Sequence, residues 1–216
     1  MNILVIETSS PCASLCVAYN GDLLFSSSWE AERNHDAHLF PALQRALRCL
    51  HGQNLDIVLV GAGPGSYGGV RVALAAAEGI ALVHGAQVAA INSWLGLPLP
   101  PGPCTVISDA KRGGWAAATF QDGLMDGTLT ILSQPELSSL LENAEGRSLS
   151  VEHADHLRRQ GIAVDRPGVH ATAEALLRAW LRLGESEQRA LLETSATPVY
   201  VRPPHITQAK RKPWES

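Results

Sequence analysis

Two segments of this chain repeat the same succession of elements, and the repeat limits the fold more than any other feature. Each segment opens with a continuous apolar run typical of a central strand, such as Ile3–Ile6 at the N-terminus. A carboxylate ends each run, and a hairpin dipeptide follows at the same distance: 14 positions separate Glu7 from Gly21, and 14 separate Asp109 from Gly123. The equal spacing predicts a duplicated strand–strand–strand–helix unit and therefore two similar lobes.

Apolar periodicity and turn residues predict the elements of each unit. Pro41 is expected in or near the first turn of its helix. In the first unit, strands are predicted at 3–6, 13–19, 22–29 and 56–62, and helices at 38–50 and 70–84. In the second, strands are predicted at 105–108 and 115–120, and helices at 135–145 and 171–183. Further strands are possible at 148–151 and 162–164, and residues 199–202 are expected to form a short strand or an extended segment.

The proline-rich stretch Leu97–Pro103 is the clearest linker in the chain. It predicts an N-terminal lobe of residues 1–97 and a smaller C-terminal lobe of residues 98–216, which ends in a basic tail. The second copy of the repeat is degraded after its hairpin. The predicted fold class is therefore α/β, with two lobes built from a duplicated β-β-β-α-β-α unit.

Composition excludes several functional classes. The chain has 216 residues, 45% of them apolar, which is enough for one compact domain or two small lobes. A net charge of −4 argues against a protein that wraps nucleic acid by itself. The four cysteines have no C-x-x-C spacing, and we find no signal peptide or apolar run of about 20 residues. These features predict a cytoplasmic protein with reduced thiols and no membrane span.

The glycine cluster after the 56–62 strand invites two interpretations. Gly63, Gly65 and Gly68 spell the dinucleotide-binding pattern G-x-G-x-x-G, but no Asp or Glu lies between positions 78 and 109 to hold a ribose. Pro64 also lacks a backbone donor for phosphate. The Walker A pattern fails because Gly-Val follows the last glycine where Lys and Ser or Thr are needed. A tight strand-to-helix connection is favoured.

The helix that follows this turn is unusually smooth. From Gly69 to His84 the only charges are Arg71 and Glu78, and small residues cover much of the surface. A helix apolar nearly all round must be covered on nearly every side, either by packing between the lobes or by another protein. The second interpretation predicts a docking face made with the 38–50 helix. The candidate interface residues are His35, Leu39, Leu43, Arg71, Ala75, Glu78 and Leu82.

The two carboxylates that end matching strands suggest a different function. Glu7 and Asp109 could face one interlobe cleft, with Thr8 and Ser9 beside them, as in ATPases that place carboxylates around a metal and nucleotide. The alternative function is therefore a free-standing ATP-using enzyme. Against it, Glu7 is not followed by a glycine that would let the backbone approach phosphate. A structural or vestigial carboxylate is the default, and no cofactor or metal is predicted.

Three further candidates have simpler explanations. His35 and His38 could share a helix face as metal ligands, but capping and packing at the helix start are the favoured explanation. Cys12 and Cys16 are expected to be small buried apolar residues and not nucleophiles. The run Lys210–Lys212 could touch RNA, but three charges at a chain end are usually just solvated.

Several motifs together carry a resemblance to a known family. They are the strand ending Glu7-Thr8-Ser9, His35 heading a helix with Leu39 and Pro41, the run GPGSYGGVR at 63–71, the strand ending at 109–112, and the late segment 198–202. With these motifs the chain resembles the bacterial TsaB (YeaZ) family over nearly its whole length. The glycine run is the most specific piece, since it is similar to the family's GPGS-aromatic-TGVR.

The resemblance implies an actin/hexokinase-like (ASKHA, ribonuclease H-like) fold, in agreement with the repeat. It also implies a non-catalytic scaffold that binds the paralogous enzyme TsaD in making threonylcarbamoyladenosine at position 37 of tRNA. The ATPase TsaE is expected to join the complex, and the chain is expected to contact tRNA only through that complex. The chain alone is expected to form a homodimer. Two positions depart from the family pattern: Glu7 stands where Asp is usual and Gly68 where Thr is usual, which leaves any role of that hydroxyl in doubt.

Overall fold

The protein is an α/β structure with two sheets, as predicted. The computed structural model describes residues 1–30 and 35–201, and for residues 35–37 only the helical backbone. The strands are β1 (Asn2–Glu7), β2 (Cys12–Tyr19), β3 (Asp22–Glu30), β4 (Ile57–Gly61), β5 (Gln87–Ile91), β6 (Pro103–Asp109), β7 (Gly114–Gln121), β8 (Leu124–Ser133) and β9 (Arg147–Ser150). The helices are α1 (His35–Arg48), α2 (Tyr67–His84), α3 (Gln134–Asn143), α4 (Ala154–Arg159), α5 (Ala173–Arg182) and α6 (Glu185–Glu193), with a 3-10 turn at Ser93–Gly96.

The two sheets share one topology, which confirms the predicted duplication. The first sheet has the order β3-β2-β1-β4-β5 and the second the order β8-β7-β6-β9. In each, two antiparallel pairs form a meander, and the first strand of the repeat then pairs in parallel with the strand after the helix. This arrangement is the two-lobed actin/hexokinase-like fold.

Both predicted hairpin dipeptides form tight turns. Asn20 and Gly21 have φ values of 49° and 91°, and Asp122 and Gly123 have values of 52° and 81°. Two successive residues with positive φ match the type I′ turn, whose twist suits the flanking strands. The sequence therefore specifies the register of these two hairpins locally.

The first sheet is covered on both faces, which explains the unbroken apolar run of β1. Leu4 and Ile6 pack in the core beneath α1 and α2, whereas Ile3 and Val5 pack beneath α5 on the opposite face. Side chains alternate between the faces of a strand, so a strand buried on both sides needs apolar residues at every position.

Helix α5 follows the second lobe in sequence but packs on the first sheet. Its buried stripe includes Leu176, Leu177 and Trp180, and the helix lies against β1 and β2. At its start, the Ala173 N–H donates to Ser14 Oγ of β2 at 2.9 Å. The division of the chain at residue 97 remains a prediction, and α5 ties the last third of the chain to the first sheet.

Some local predictions were wrong. Pro41 lies in the second turn of α1, because the helix begins at His35. Residues 162–164 form no strand, since Ile162 packs at the end of the unpredicted helix α4, where its N–H donates to Leu157 O at 3.0 Å. Residues 199–201 form no strand, and Arg202 and the basic tail lie outside the described residues. Helix α6 was also missed, because none of its residues is buried.

Candidate functional site

The glycine stretch forms a tight connection from β4 into α2. Ser66 caps the helix, and its Oγ accepts a hydrogen bond from Gly69 N at 3.2 Å. The Ser66 N–H donates to Ser9 O at 2.6 Å. A Cβ at position 65 would overlap the backbone of Ser9, so only glycine permits this close approach.

Three backbone N–H groups of this turn have partners within the protein. Gly63 N donates to Ser93 Oγ at 2.9 Å, Ser66 N to Ser9 O and Gly69 N to its own capping serine. A phosphate-binding loop needs such donors free and pointing at the ligand. The turn therefore has the geometry of a structural connection.

Helix α2 exposes one smooth face. The opposite face is buried in the core through Val70, Ala73, Leu74, Ala77 and Ala81. The exposed face consists of Gly68, Arg71, Ala75, Glu78, Gly79, Leu82 and Val83, and we call it the α2 face. Leu82 is 87% exposed and Val83 80%. Four predicted interface residues, Arg71, Ala75, Glu78 and Leu82, thus share one accessible surface.

The α1 part of the predicted interface requires correction. Leu39 and Leu43 are 0% and 4% exposed and belong to the core of the first lobe. Helix α1 lies over β2 and β3, and its apolar stripe faces that sheet. The side chain of His35 lies outside the described residues. Phe40, which the sequence analysis did not single out, is 55% exposed. The sequence contained one sign of this exposure, because Phe40 lies one position away from the apolar stripe that contains Leu39.

An aromatic cluster lies at the start of the α2 face. The rings of Tyr67 and Tyr200 stack with centroids 5.1 Å apart, and Arg71 donates to the Tyr67 hydroxyl at 3.2 Å. Val199 N donates to Ala62 O at 2.8 Å and holds the segment beside the turn. Desolvation, followed by its hydrogen bond with Tyr67, raises the pKa of Tyr200. Sequence reasoning used Tyr200 only as part of a motif.

Glu7 is buried and does not line an open cleft. Its side chain is 0% exposed, and Oε1 accepts from Ser9 N at 2.6 Å. A Cβ at Gly61 would overlap this carboxyl, so glycine there makes room for it. Burial raises the pKa of Glu7 above its ordinary 4.5, although hydrogen bonds from Ser9 and Ser93 partly oppose the increase. The carboxyl is thus set in the interior of the first lobe.

Thr8 and Ser9 are buried beside Glu7 and serve the same junction. Thr8 Oγ1 donates to Gly69 O at 2.8 Å, which ties the end of β1 to the first turn of α2. Ser9 contacts the glycine turn through its carbonyl. Both residues connect elements of one lobe.

Asp109 has a separate set of partners in the second lobe. Its Oδ2 lies 3.2 Å from Lys111 Nζ and 3.2 Å from His156 Nε2, and its N–H donates to Glu152 Oε1 at 3.2 Å. None of these partners contacts Glu7. Among the side chains of residues 1–30 and 38–201, no three His, Cys, Asp or Glu are grouped so that they could hold a metal ion.

The cysteines are free thiols. Cys16 is buried in β2, and burial raises its pKa to about 12, as expected of a small apolar residue and not of a nucleophile. Burial also raises the pKa of Cys104. Cys12 is half-buried. Among the helices that the structure describes, none is long and apolar enough to cross a membrane.

Comparison with known proteins agrees with this architecture. A family model described as "TsaD: tRNA N6-adenosine threonylcarbamoyltransferase" matches residues 29–144, which is 116 of the 216 positions. The chain is 33% identical over 82 residues to the tRNA threonylcarbamoyladenosine biosynthesis protein TsaB of Buchnera aphidicola. It is 28% identical over 134 residues to the TsaB protein of Bacillus subtilis.

The chain matches only part of the length of these two relatives. The matched segments span 37% of both this chain and the Buchnera protein, and 58% of both this chain and the Bacillus protein. The solved structure of YeaZ from Pseudomonas aeruginosa superposes with a TM-score of 0.71 at 20% identity, over 92% of this chain and 99% of that one. That likeness supports the fold, and the family match covers more than half of the sequence. The chain therefore belongs to the family that the TsaD model describes, and the relatives that it resembles in sequence are TsaB proteins.

Proposed function

We propose that this protein is a non-catalytic subunit of the cytoplasmic machinery that makes threonylcarbamoyladenosine in tRNA, and that it binds a TsaD-like transferase. The observation that carries the proposal is the exposed apolar α2 face. A TsaE-like ATPase completes the assembly, and tRNA is reached through the complex. The names of the related proteins indicate the pathway, and the α2 face indicates how this chain takes part in it.

The α2 face has the composition of a docking surface. Leu82 and Val83 present branched apolar side chains almost entirely to solvent. Ala75 and Gly79 have small side chains or none, so a second helix can approach the backbone of α2 closely. Arg71 and Glu78 provide charged groups on the same face. Burying about 600 Å² of apolar surface here would contribute on the order of 15 kcal/mol before the costs of association.

A TsaD-like partner fits this face because of the family relation. The matched region, 29–144, contains both α1 and α2. A TsaD-like chain therefore carries corresponding helices, and the two can pair about a pseudo-twofold axis. The same face on a second copy would give the homodimer expected of the isolated chain.

The alternative, an ATP-using enzyme centred on Glu7 and Asp109, lacks a supporting observation. Glu7 is enclosed, and the N–H groups of Gly63 and Ser66 in the glycine turn have partners within the protein. Asp109 is held by Lys111 and His156. Contacts within the same lobe therefore explain the position of each carboxylate.

Co-elution with the TsaD homologue of the same organism tests the proposal. The wild-type chain should co-elute with it and be required for threonylcarbamoyl transfer, and Ala75→Glu should abolish both. Ala190→Glu, on the exposed surface of α6, is the matched control and should change neither. Turnover of ATP by the isolated chain that is lost in Glu7→Gln would overturn the proposal in favour of the enzyme.

A further inference from the structure

A groove on the other side of the first sheet has no role in the proposed function. It has a volume of about 740 Å³ and lies between α5 and the proline-rich stretch that links the two sheets. Leu97, Pro98 and Pro100 form an apolar wall, and Ala175 and Leu181 face it from the helix. This volume lies within the range of sites for single small molecules.

Two arginines line the groove from one stripe of α5. Arg178 and Arg182 are four residues apart and therefore project from the same side of the helix. Within the described ranges, neither guanidinium lies within ion-pair distance of a carboxylate. The Arg182 guanidinium rests against the second hairpin turn, where a Cβ at Gly123 would come within 3.1 Å of its nitrogen.

The remaining polar groups define the two ends of the groove. Thr172, the N-cap of α5, and His170 lie at one end; burial lowers the pKa of His170, so it is neutral at physiological pH. Asp122 lies at the other end, and its oxygens accept from Gly102 N at 2.8 Å and Gln121 Nε2 at 2.9 Å. From Thr172 to Arg182 the helix runs about 15 Å, at 1.5 Å per residue.

We propose that this groove binds an organic phosphate of about nucleotide size, with the phosphate between Arg178 and Arg182 and the organic part against the proline wall. A single carboxylate is satisfied by one bidentate arginine, whereas a doubly charged phosphate can accept from two. The wall offers few backbone donors, because Pro98, Pro100 and Pro101 have no N–H. That excludes strand pairing with a peptide along this side and favours contact with a flat or aliphatic group.

Calorimetric titration of the full chain with AMP, CMP, inorganic phosphate and adenosine tests this assignment. Both nucleotides should bind with a dissociation constant below about 1 mM. Inorganic phosphate should bind more weakly, because it does not use the wall, and adenosine should not bind measurably. Binding should weaken with salt, as expected for a contact between charges.

Variants of the lining residues test whether AMP binds in this groove and not elsewhere on the protein. Arg178→Ala combined with Arg182→Ala should weaken AMP binding about tenfold or more, and Ala175→Leu should weaken it by filling the groove without a change of charge. Asp122→Asn keeps an acceptor for Gly102 N and tolerates positive φ, and it should tighten binding by removing a like charge. Arg189→Ala, on α6, is the matched control and should bind as the wild type does.

Two outcomes would overturn the proposal: no nucleotide binding by the wild-type chain, or unchanged AMP affinity in the double arginine variant. Circular dichroism of the double arginine variant should show the wild-type melting temperature, since both arginines are exposed. The result is independent of the α2 face, because the Ala75→Glu chain should bind AMP normally even though it no longer binds a TsaD homologue.

Discussion

Substitution of Leu39 or of Leu82 by alanine should have opposite effects on the stability of the chain and on its affinity for a partner. Both were predicted to form one partner interface, yet Leu39 is 0% exposed in the core and Leu82 is 87% exposed on the α2 face. Each is changed to alanine. Leu39→Ala should destabilise the isolated chain and leave partner affinity unchanged in the fraction that remains folded. Leu82→Ala should leave stability unchanged and weaken the complex.

The magnitudes follow from burial. Truncating a buried leucine to alanine costs about 2–5 kcal/mol of unfolding free energy. For a chain of this size, a loss of about 3 kcal/mol lowers the melting temperature by roughly 6–12 °C. Leu82→Ala removes about three methylene-sized groups, worth about 2.4 kcal/mol if fully buried on docking. Scaled by the 87% now exposed, the loss is about 2 kcal/mol, or an affinity change of up to about 30-fold.

The assay is thermal unfolding of the isolated variants by circular dichroism, with calorimetric titration against the TsaD homologue. Leu124→Ala, an exposed leucine on β8, is the control and should change neither quantity appreciably. The reasoning is refuted if Leu39→Ala melts like the wild type but loses the partner, or if Leu82→Ala melts several degrees lower with unchanged affinity.

Three further predictions concern Glu7, Gly65 and Cys16. The pKa of Glu7 is raised in the folded chain, so the free energy of unfolding should fall as pH rises above 4.5. Glu7→Gln cannot ionise and should therefore become more stable relative to the wild type as pH rises. A difference in urea unfolding that does not change with pH would contradict this. Gly65→Ala should destabilise by at least about 1–3 kcal/mol, because its Cβ overlaps the Ser9 backbone, and a wild-type urea midpoint would disprove that overlap. Cys16, with a pKa of about 12, should resist iodoacetamide at pH 8 in the native chain and react in urea, whereas the half-buried Cys12 should react before Cys16, as mass spectrometry of peptides can show.

Sequence-based prediction succeeded where the signal was local. The strand β1, the two hairpins and the glycine turn depend on residues that are neighbours in sequence. Asn20-Gly21 and Asp122-Gly123 form the turns that their backbone preferences favour. Helix α6 was missed for the converse reason: it buries no residue, so its apolar pattern is weak.

The sequence by itself determined the duplicated α/β fold, because equal spacing of strands, carboxylates and hairpin residues recurs along the chain. Only the tertiary structure decided which apolar residues are accessible. Periodicity shows that Leu39 and Leu82 lie on apolar stripes, but burial depends on what packs against each stripe, and the sheet covers only one of them. The same reason applies to Glu7, enclosed by Gly61 and Ser9, and to the groove, whose arginines and prolines meet because α5 returns to the first sheet.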